Sequence, residues 1–362
     1  MRIPLVDLKA QYQSIKCEID SAVQKIFAGC NFILGPEVET FEKEISQYLG
    51  VKHAVGVASG TDALKIALLS VGVGSGDEVI TTPFTFIATA EAIVDIGAKP
   101  VFVDIDPDTF NINADLIRDK ITARTKAVLP VHLFGNAADM GGILSVSRSN
   151  NLKVVEDCAQ ALGAEYGGRK VGSIGDAGCL SFFPGKNLGC CGDGGMVVTS
   201  DENVAGAARM LRNHGSKKKY FHSIHGYNSR LDTLQAALLS VKLKHLDEWN
   251  DRRRENASLY RKFLKDGVAH QKIKDGVLHS FNYYSIIIDD RDRVAAQLKE
   301  RGIATTVYYP LCLHMQEVYG RLGYKKGDFP EAERLQDKIL SLPMYSELKE
   351  ENIKEVAEAV LS

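Results

Sequence analysis

Two hydrophobic periods alternate along the first part of the chain. Short apolar runs rich in β-branched residues lie at 53–57, 78–81, 101–104, 126–131 and 153–156. Between them the apolar positions recur with helical spacing, in stretches that begin at Thr61 and near Phe86. Strands that alternate with helices predict a parallel sheet covered on both faces, hence an α/β fold.

Two further apolar runs, 178–183 and 195–199, flank a segment that is rich in glycine. We predict that these runs pair as a hairpin, with Lys186 in the connection between them. Upstream of the first strand, residues 11–28 carry apolar side chains at helical spacing, and a second amphipathic helix follows Pro36. Two helices are therefore expected to precede the sheet.

The pattern changes near residue 245. A helix is predicted from Asn228 to about Leu246, because its leucines fall on one side. The elements predicted after it are a strand with period-two alternation over 281–288, a helix over 294–302 and a strand over 304–309. We therefore expect a large domain at 1–245 and a small α+β domain at 246–362, with the N-terminal segment as a candidate to pack on the small domain.

Composition and charge narrow the function classes. The 362 residues are 45% apolar, which is enough for a sizeable core, and 44 basic residues face 46 acidic ones. A formal charge of -2 gives no electrostatic footprint for nucleic acid or an anionic membrane. The first residues lack a signal-peptide core, and no run approaches the roughly 18 apolar residues of a membrane span. We expect a cytoplasmic protein without nucleic-acid or membrane partners.

The seven cysteines show no C-x-x-C spacing, and most of them lie in apolar sequence. An odd number without metal-ligand spacing is typical of reduced cysteines that bind no metal. Cys190 and Cys191 are adjacent, but neighbouring cysteines rarely close a relaxed disulfide. We therefore expect neither a metal site nor redox chemistry.

Two stretches carry candidate chemistry. Ser181–Gly195 delivers Lys186 into glycine-rich backbone, and a lysine whose surroundings lower its pKa becomes a nucleophile that traps carbonyl groups. Lys153–Asp157 is typical of a buried strand that ends in an acid, where open α/β sheets bind ligands. From the residues alone, a solvated turn for Lys186 and a helix cap for Asp157 remain open alternatives.

These stretches occur in one order with two others, Ala58–Leu64 and Gly226–Asp232. From Pro4 to Tyr345 the chain resembles the DegT/DnrJ/EryC1/StrS family of sugar aminotransferases. The resemblance implies a fold-type I transferase that depends on pyridoxal 5'-phosphate (PLP), with a mostly parallel seven-stranded sheet in the large domain. Lys186 is then expected to bind PLP as a Schiff base.

The resemblance also assigns the residues around the cofactor. The implied cofactor-binding set is Gly60, Thr61, Asp62, Phe86, Asp157, Gln160, Ser181 and Asn228. Asp157 is expected to keep the pyridine nitrogen protonated, and Phe86 to cover the ring. Asp62 is expected to contribute its backbone only, because a carboxylate facing the phosphate would repel it. From the residues alone, three alternatives remain open: a helix cap at 59–62, a core position for Phe86 and an N-cap position for Asn228.

Four positions match the family's substrate contacts: Lys217, His222, Tyr309 and His314. A solvated loop is the alternative interpretation for the first two. The implied function is transfer of an amino group, with glutamate as the donor, to a dTDP- or UDP-linked keto-sugar. Because Asn228 matches a residue that reaches the neighbouring subunit's cofactor, a homodimer with shared active sites is also implied.

Other functions remain as alternatives. The acceptor could be a carbocyclic ketone such as an inosose, which would need a different small-domain pocket. A non-catalytic regulator that senses sugar or cofactor is a second alternative, and the intact Lys186 and Asp157 argue against it. PLP-like sugar dehydration is disfavoured, because the relatives that perform it replace the lysine.

Overall fold

The computed structural model describes residues 1–362, apart from the side chain of residue 266. Its helices are α1 (Leu8–Ser14), α2 (Lys16–Gly29), α3 (Pro36–Leu49), α4 (Gly60–Ser70), α5 (Ala88–Asp95), α6 (Met140–Ser149), α7 (Glu202–Leu211), α8 (Thr233–Leu243), α9 (Leu246–Leu264), α10 (Arg291–Glu300), α11 (Pro330–Lys338) and α12 (Glu350–Leu361). Its strands are β1 (His53–Val57), β2 (Glu78–Thr81), β3 (Lys99–Phe102), β4 (Thr125–Val128), β5 (Lys153–Asp157), β6 (Glu165–Tyr166), β7 (Arg169–Lys170), β8 (Ala177–Ser181), β9 (Gly195–Thr199), β10 (Ser216–Lys218), β11 (Phe221–His222), β12 (Ala269–His270), β13 (Val277–Leu278), β14 (Tyr284–Ile287) and β15 (Ile339–Leu342).

Seven strands form one sheet in the order β1-β9-β8-β5-β4-β2-β3. The pairs β8–β5, β5–β4, β4–β2 and β2–β3 are parallel, whereas β9 is antiparallel to both β8 and β1. All strands except β9 therefore run in one direction. The prediction of a mostly parallel seven-stranded sheet is confirmed, and so is the β8–β9 hairpin that carries Lys186 in its connection.

The sheet is buried on both faces because its apolar side chains alternate between two cores. Val154 points into the core shared with α3, α6 and α8, while its neighbour Val155 points into the core shared with α4, α5 and α7. The same alternation occurs in β9, where Met196 and Val197 lie on opposite faces. Strands buried on both sides give continuous apolar runs, which is why the sequence pattern located them.

A third core lies around the antiparallel sheet β12-β14-β15. Tyr260 of α9, Val294 of α10 and Val356 of α12 pack there. Ile3 belongs to the same core and bridges to Ile303, with the Ala304 amide donating to the Ile3 carbonyl at 2.9 Å. The first residues of the chain thus pack on its C-terminal part.

Two predicted elements differ from the structure. The helix expected from Asn228 begins only at Thr233, because Asn228 bridges to Asn213 in extended conformation. The strand expected over 304–309 is not a regular strand; Thr306 makes one isolated bridge to Ser341. Both differences depend on partners that are distant in sequence.

None of the described helices combines the length and the apolar character that crossing a membrane would require.

Candidate active site

Lys186 lies in a tight turn, residues 183–189, which we call the lysine turn. The Lys186 amide donates to the Phe183 carbonyl at 2.9 Å, which closes the turn on itself. A Cβ atom at Gly189 would lie 2.3 Å from the Pro184 carbonyl oxygen, so only glycine fits there. The sequence of the turn therefore fixes where the lysine side chain begins.

The Lys186 amine lies over the ring of Tyr283, with Nζ 5.9 Å from the ring centroid. Burial lowers the pKa of Lys186 from its ordinary value of 10.5 to about 8, although the negative charge of Asp157 acts in the opposite direction. Lys186 forms no ion pair within 4.0 Å among the described side chains. A much larger share of uncharged, nucleophilic amine is therefore present near neutral pH than in a solvated lysine.

Asp157 ends β5 and is buried. Thr89 of α5 donates its hydroxyl to Oδ2 at 2.8 Å, and the Ala159 amide donates to Oδ1 at 3.1 Å. Burial raises the pKa of Asp157, whereas these two hydrogen bonds and the charge of Lys186 act to lower it. A cation beside the carboxylate would favour its ionised form further.

Gln160 links the Asp157 loop to the C-terminal part of the chain. Its Oε1 accepts from the Phe134 amide at 2.8 Å, and its Nε2 donates to the Tyr309 hydroxyl at 2.8 Å. The Tyr309 ring lies next to that of Phe86, with centroids 6.2 Å apart. Phe86 is 55% exposed and so is not a core phenylalanine. Its face is available to a flat ligand.

The amino-terminal end of α4 forms the other end of the site. Ser59 caps the helix by accepting from the Asp62 amide, and the first backbone bond of the helix runs from Ala63 to the Ser59 carbonyl. The amides of Gly60 and Thr61 precede that bond, as the first amides of a helix do. They and the positive end of the helix dipole favour an anion such as a phosphate.

Close approach of three segments shapes this helix end. A Cβ atom at Gly60 would lie 2.6 Å from Cβ of Ser181, so the glycine lets the end of β8 touch the first turn of α4. The carboxylate of Asp62 accepts from the Ser229 hydroxyl at 2.6 Å and pairs with Lys65 at 3.0 Å. This carboxylate is therefore held by protein partners.

The remaining assigned residues lie elsewhere. Lys217 and His222 are exposed on the β10–β11 hairpin, where His222 Nδ1 donates to the His214 carbonyl at 2.8 Å. Asn228 is exposed, and its extended conformation excludes the N-cap alternative for α8, whose N-cap position is Asp232. The structure shows no contact of these three side chains with Lys186.

His314 is the assigned residue that the geometry supports least. Its side chain is 0% exposed, and its Nε2 pairs with Glu333 Oε1 at 3.0 Å. Its ring packs against Phe329. In this arrangement His314 presents no surface to a substrate, so the expectation based on the small-domain motif does not extend to it.

One buried group has the composition of a metal site. His132, Glu156 and Cys158 bring their ligand atoms within 4.8 Å of one another. The His132 ring, however, accepts from the Ala138 amide and bonds to Glu156, and the Glu156 oxygens accept three amides from residues 172–175. These groups are occupied by protein partners and hold the 172–175 loop against β5.

Sequence reasoning missed Thr89 and Tyr283, which contact Asp157 and Lys186 respectively. Thr89 offered one signal, because it follows Phe86 by three positions and so lies near the same turn of chain. Tyr283 offered none, since its place beside Lys186 depends on the packing of the C-terminal part of the chain against the sheet.

The donor set fits one cofactor. A nucleophilic amine, a buried carboxylate and a helix amino terminus lie at the ends of neighbouring elements, as the aldehyde, ring nitrogen and phosphate of PLP require. Phe86 adds an exposed aromatic face for the ring. The fold and this site are those of a PLP-dependent aminotransferase.

The chain belongs to the DegT/DnrJ/EryC1/StrS aminotransferase family, whose model matches residues 13–361. It is similar to a Geobacillus stearothermophilus protein named pleiotropic regulatory protein, with 50% identity over 99% of this chain and 98% of the relative. It is also similar to the UDP-N-acetyl-3-dehydro-alpha-D-glucosamine 3-aminotransferase of Acidithiobacillus ferrooxidans, with 46% identity over 99% of this chain and 97% of the relative.

The chain is also similar to a solved structure over nearly its whole length. The S. venezuelae DesV crystal structure, in complex with a ketimine intermediate, superposes with a TM-score of 0.97. The two chains share 41% sequence identity, and the match covers 99% of this chain and 97% of DesV. The match thus includes the lysine turn, the sheet and the C-terminal part.

Proposed function

We propose that the protein transfers an amino group from glutamate to the keto group of a nucleotide-linked sugar, with PLP as its cofactor. The observation that carries the proposal is the half-buried Lys186, whose pKa is lowered to about 8 by desolvation of its amine, beside the buried carboxylate of Asp157. The name of the Acidithiobacillus relative supports the substrate class, because that enzyme is a UDP-sugar 3-aminotransferase.

Bound PLP supplies an aldehyde carbon for exchange of amines and a protonated ring that withdraws electrons from the carbon that loses its proton. Lys186 contributes the amine that holds the cofactor. Once released by the incoming amino donor, the same amine carries a proton from one carbon to the next as a general base and then a general acid. Its pKa of about 8 suits both roles near neutral pH.

Asp157 would hold the proton on the ring nitrogen, with its carboxylate oriented by the Thr89 hydroxyl and the Ala159 amide. Gln160 and Tyr309 form a hydrogen-bonded pair at the edge of the same space and orient one another. The exposed face of Phe86 would cover the ring and exclude water from it.

The amides of Gly60 and Thr61 and the Ser181 hydroxyl would hold the phosphate. The two amides are free of helical bonds, and Ser181 is brought against them by the close approach at Gly60. Asp62 contributes no charge to the phosphate, because Lys65 and Ser229 hold its carboxylate.

We extend the proposal to a homodimer that shares its active sites. Asn228, Lys217 and His222 are exposed in one chain and lie near the projecting β10–β11 hairpin. Tyr220 at the tip of that hairpin is 81% exposed, and Phe221 is exposed beside it. Exposed aromatic side chains on a projecting element are typical of protein interfaces. In a two-fold dimer this hairpin would bring Asn228 to the partner's phosphate and Lys217 to the sugar nucleotide.

A regulatory role is the second candidate, because the Geobacillus relative is named a pleiotropic regulatory protein. Lys186, with its lowered pKa, and Asp157 argue for catalysis. A sensor needs neither a nucleophilic amine nor a carboxylate that keeps the ring nitrogen of the cofactor protonated. The two candidates differ in whether the bound cofactor changes chemically when glutamate is added.

The test is an absorbance spectrum of the purified, PLP-loaded protein, followed by glutamate and then by keto acceptors. We expect glutamate to convert the spectrum to that of the aminated cofactor, and a UDP- or dTDP-linked keto-sugar to restore it. A UDP-linked 3-keto sugar is the first acceptor to test, in view of the Acidithiobacillus relative. Restoration by an inosose alone would show that the acceptor is a carbocycle and not a nucleotide-linked sugar. A spectrum that glutamate leaves unchanged would favour the role as a sensor.

A further inference from the structure

The residue after the catalytic lysine is anchored more firmly than the lysine itself. Asn187 is 3% exposed, and its side-chain amide donates both hydrogens, one to Asn250 Oδ1 at 2.6 Å and one to the Ser280 carbonyl at 2.8 Å. Asn187 is bonded to Lys186 through the backbone. The two hydrogen bonds of Asn187 therefore tie the lysine turn to Asn250 and Ser280.

Asn250 connects this anchor to the loop that follows Asp157. It is 1% exposed on α9, and its Nδ2 donates to the Leu162 carbonyl at 3.2 Å. A Cβ atom at Gly163, whose φ is +86°, would lie 2.3 Å from that nitrogen. Only glycine lets the loop approach the Asn250 amide so closely. The loop that carries Gln160 and the lysine turn thus meet on one side chain.

The partners of the two asparagines come from separate parts of the fold. Asn250 lies on the helix whose later residues enter the C-terminal core, and Ser280 adjoins Phe281 of that core. The Ser280 amide donates in turn to the Gly135 carbonyl at 3.0 Å. Any movement of α9 or of the Ser280 segment is therefore transmitted to the lysine turn.

We propose that Asn187 and Asn250 are positioning residues, which hold the Lys186 amine at a fixed place relative to Asp157. The proposal rests on the proposed function for the role of Lys186, and it assigns neither asparagine a contact with substrate or cofactor. The pair acts through the backbone of the turn on one side and through the Leu162 loop on the other.

The decisive test measures Lys186 in the cofactor-free protein. Its reactivity is followed by brief acetylation with acetic anhydride over a range of pH, and the extent at Lys186 is read from the peptide by mass spectrometry. The wild-type titration midpoint is expected at about 8. In Asn250→Ala and Asn187→Ala a loosened turn admits water, so burial lowers the pKa less and the midpoint moves upward, toward 10.5.

Catalysis provides a second readout. After loading with PLP, misplacement of the amine should lower kcat by on the order of 10- to 100-fold, with little change in the KM for glutamate. Asn256→Ala is the matched control, because Asn256 is a buried asparagine on the same helix that donates to the Tyr345 carbonyl at 2.9 Å, away from the lysine turn. Asn250→Ser serves where the alanine variant fails to fold.

The outcomes separate the two proposals. Midpoints and kcat values of the Asn250 and Asn187 variants that equal those of Asn256→Ala would overturn the positioning role. An upward midpoint shift confined to those variants would support it, even if no acceptor sugar is turned over. A wild-type protein that fails to take up PLP would instead contradict the proposed function, since the acetylation readout does not involve PLP.

Discussion

The amine of Lys186 and the carboxylate of Asp157 influence each other's ionisation. Burial lowers the pKa of the lysine to about 8 and raises the pKa of the aspartate, while each charge favours the ionised form of the other group. The pair was predicted through the resemblance to the family, because the residues alone left a solvated turn for Lys186 and a helix cap for Asp157 open. The contacts that orient the pair, from Thr89 and Tyr283, could not be predicted, since they arise only from tertiary packing.

Replacing Lys186 by alanine removes the amine that we propose to hold the cofactor and to move the proton. We expect Lys186→Ala to lose the absorption band of the covalently held cofactor near the visible edge, and to lose turnover with it. Steady-state kinetics and a spectrum of the purified variant provide the measurement. Turnover that persists without an added amine would show that another group performs this role.

Replacing Asp157 by asparagine keeps the size of the side chain and removes its charge. Because that charge raises the pKa of Lys186, its loss should lower the acetylation midpoint of the cofactor-free protein below about 8. The half-reaction with glutamate should slow by on the order of 100-fold, the cost of one preorganised electrostatic group. Stopped-flow rates equal to those of the wild type would show that Asp157 does not keep the ring nitrogen protonated.

At the scale of elements, the sequence predicted the strands better than the irregular segments. β1 and β2 have the predicted bounds, because strands that are buried on both faces give uninterrupted apolar runs. The prediction of a strand over 304–309 was wrong, because the pairing of this segment depends on Ile3 and Ser341. The anchoring of the lysine turn on α9 was also beyond the sequence, because Asn187 and Asn250 give no local pattern.

The close approach of β8 to α4 gives a prediction for the phosphate end. In Gly60→Ala the added Cβ would meet the Ser181 side chain at 2.6 Å, which pushes that hydroxyl from the first turn of α4. Loss of one hydrogen bond to a charged group costs about 1.5–3 kcal/mol, so PLP affinity should fall roughly 10- to 100-fold. Equilibrium dialysis of the cofactor would measure the change.

Gly206→Ala provides the control for that experiment. Gly206 lies within α7, and a Cβ atom there would have no neighbour within 4 Å. Alanine should stabilise this helix by roughly 0.5–1 kcal/mol and leave PLP affinity unchanged. Equal affinities of the two variants would mean that Ser181 does not hold the phosphate.

At the scale of the whole molecule, the proposed dimer predicts complementation between damaged chains. Lys186→Ala and Asn228→Ala proteins, each impaired alone, are mixed after dissociation. In a mixed dimer one shared site carries both lesions and the other carries neither. Random pairing makes about half of the dimers mixed, so activity should approach about a quarter of the wild-type value. No gain over the separate variants, with subunit exchange confirmed, would place Asn228 outside the partner's site.

The packing of Ile3 into the C-terminal core has a consequence for how the chain is completed on the ribosome. Ile3 supplies a side chain to a core whose other members lie beyond residue 256, so it can take its place only after those residues have been synthesised. A fragment that begins at residue 246 lacks Ile3 and leaves a gap among the apolar side chains around Ile303. Ile3 thus completes a core that is otherwise built from C-terminal residues. If the chain is cut between the seven-stranded sheet and this core, the C-terminal fragment should not fold by itself.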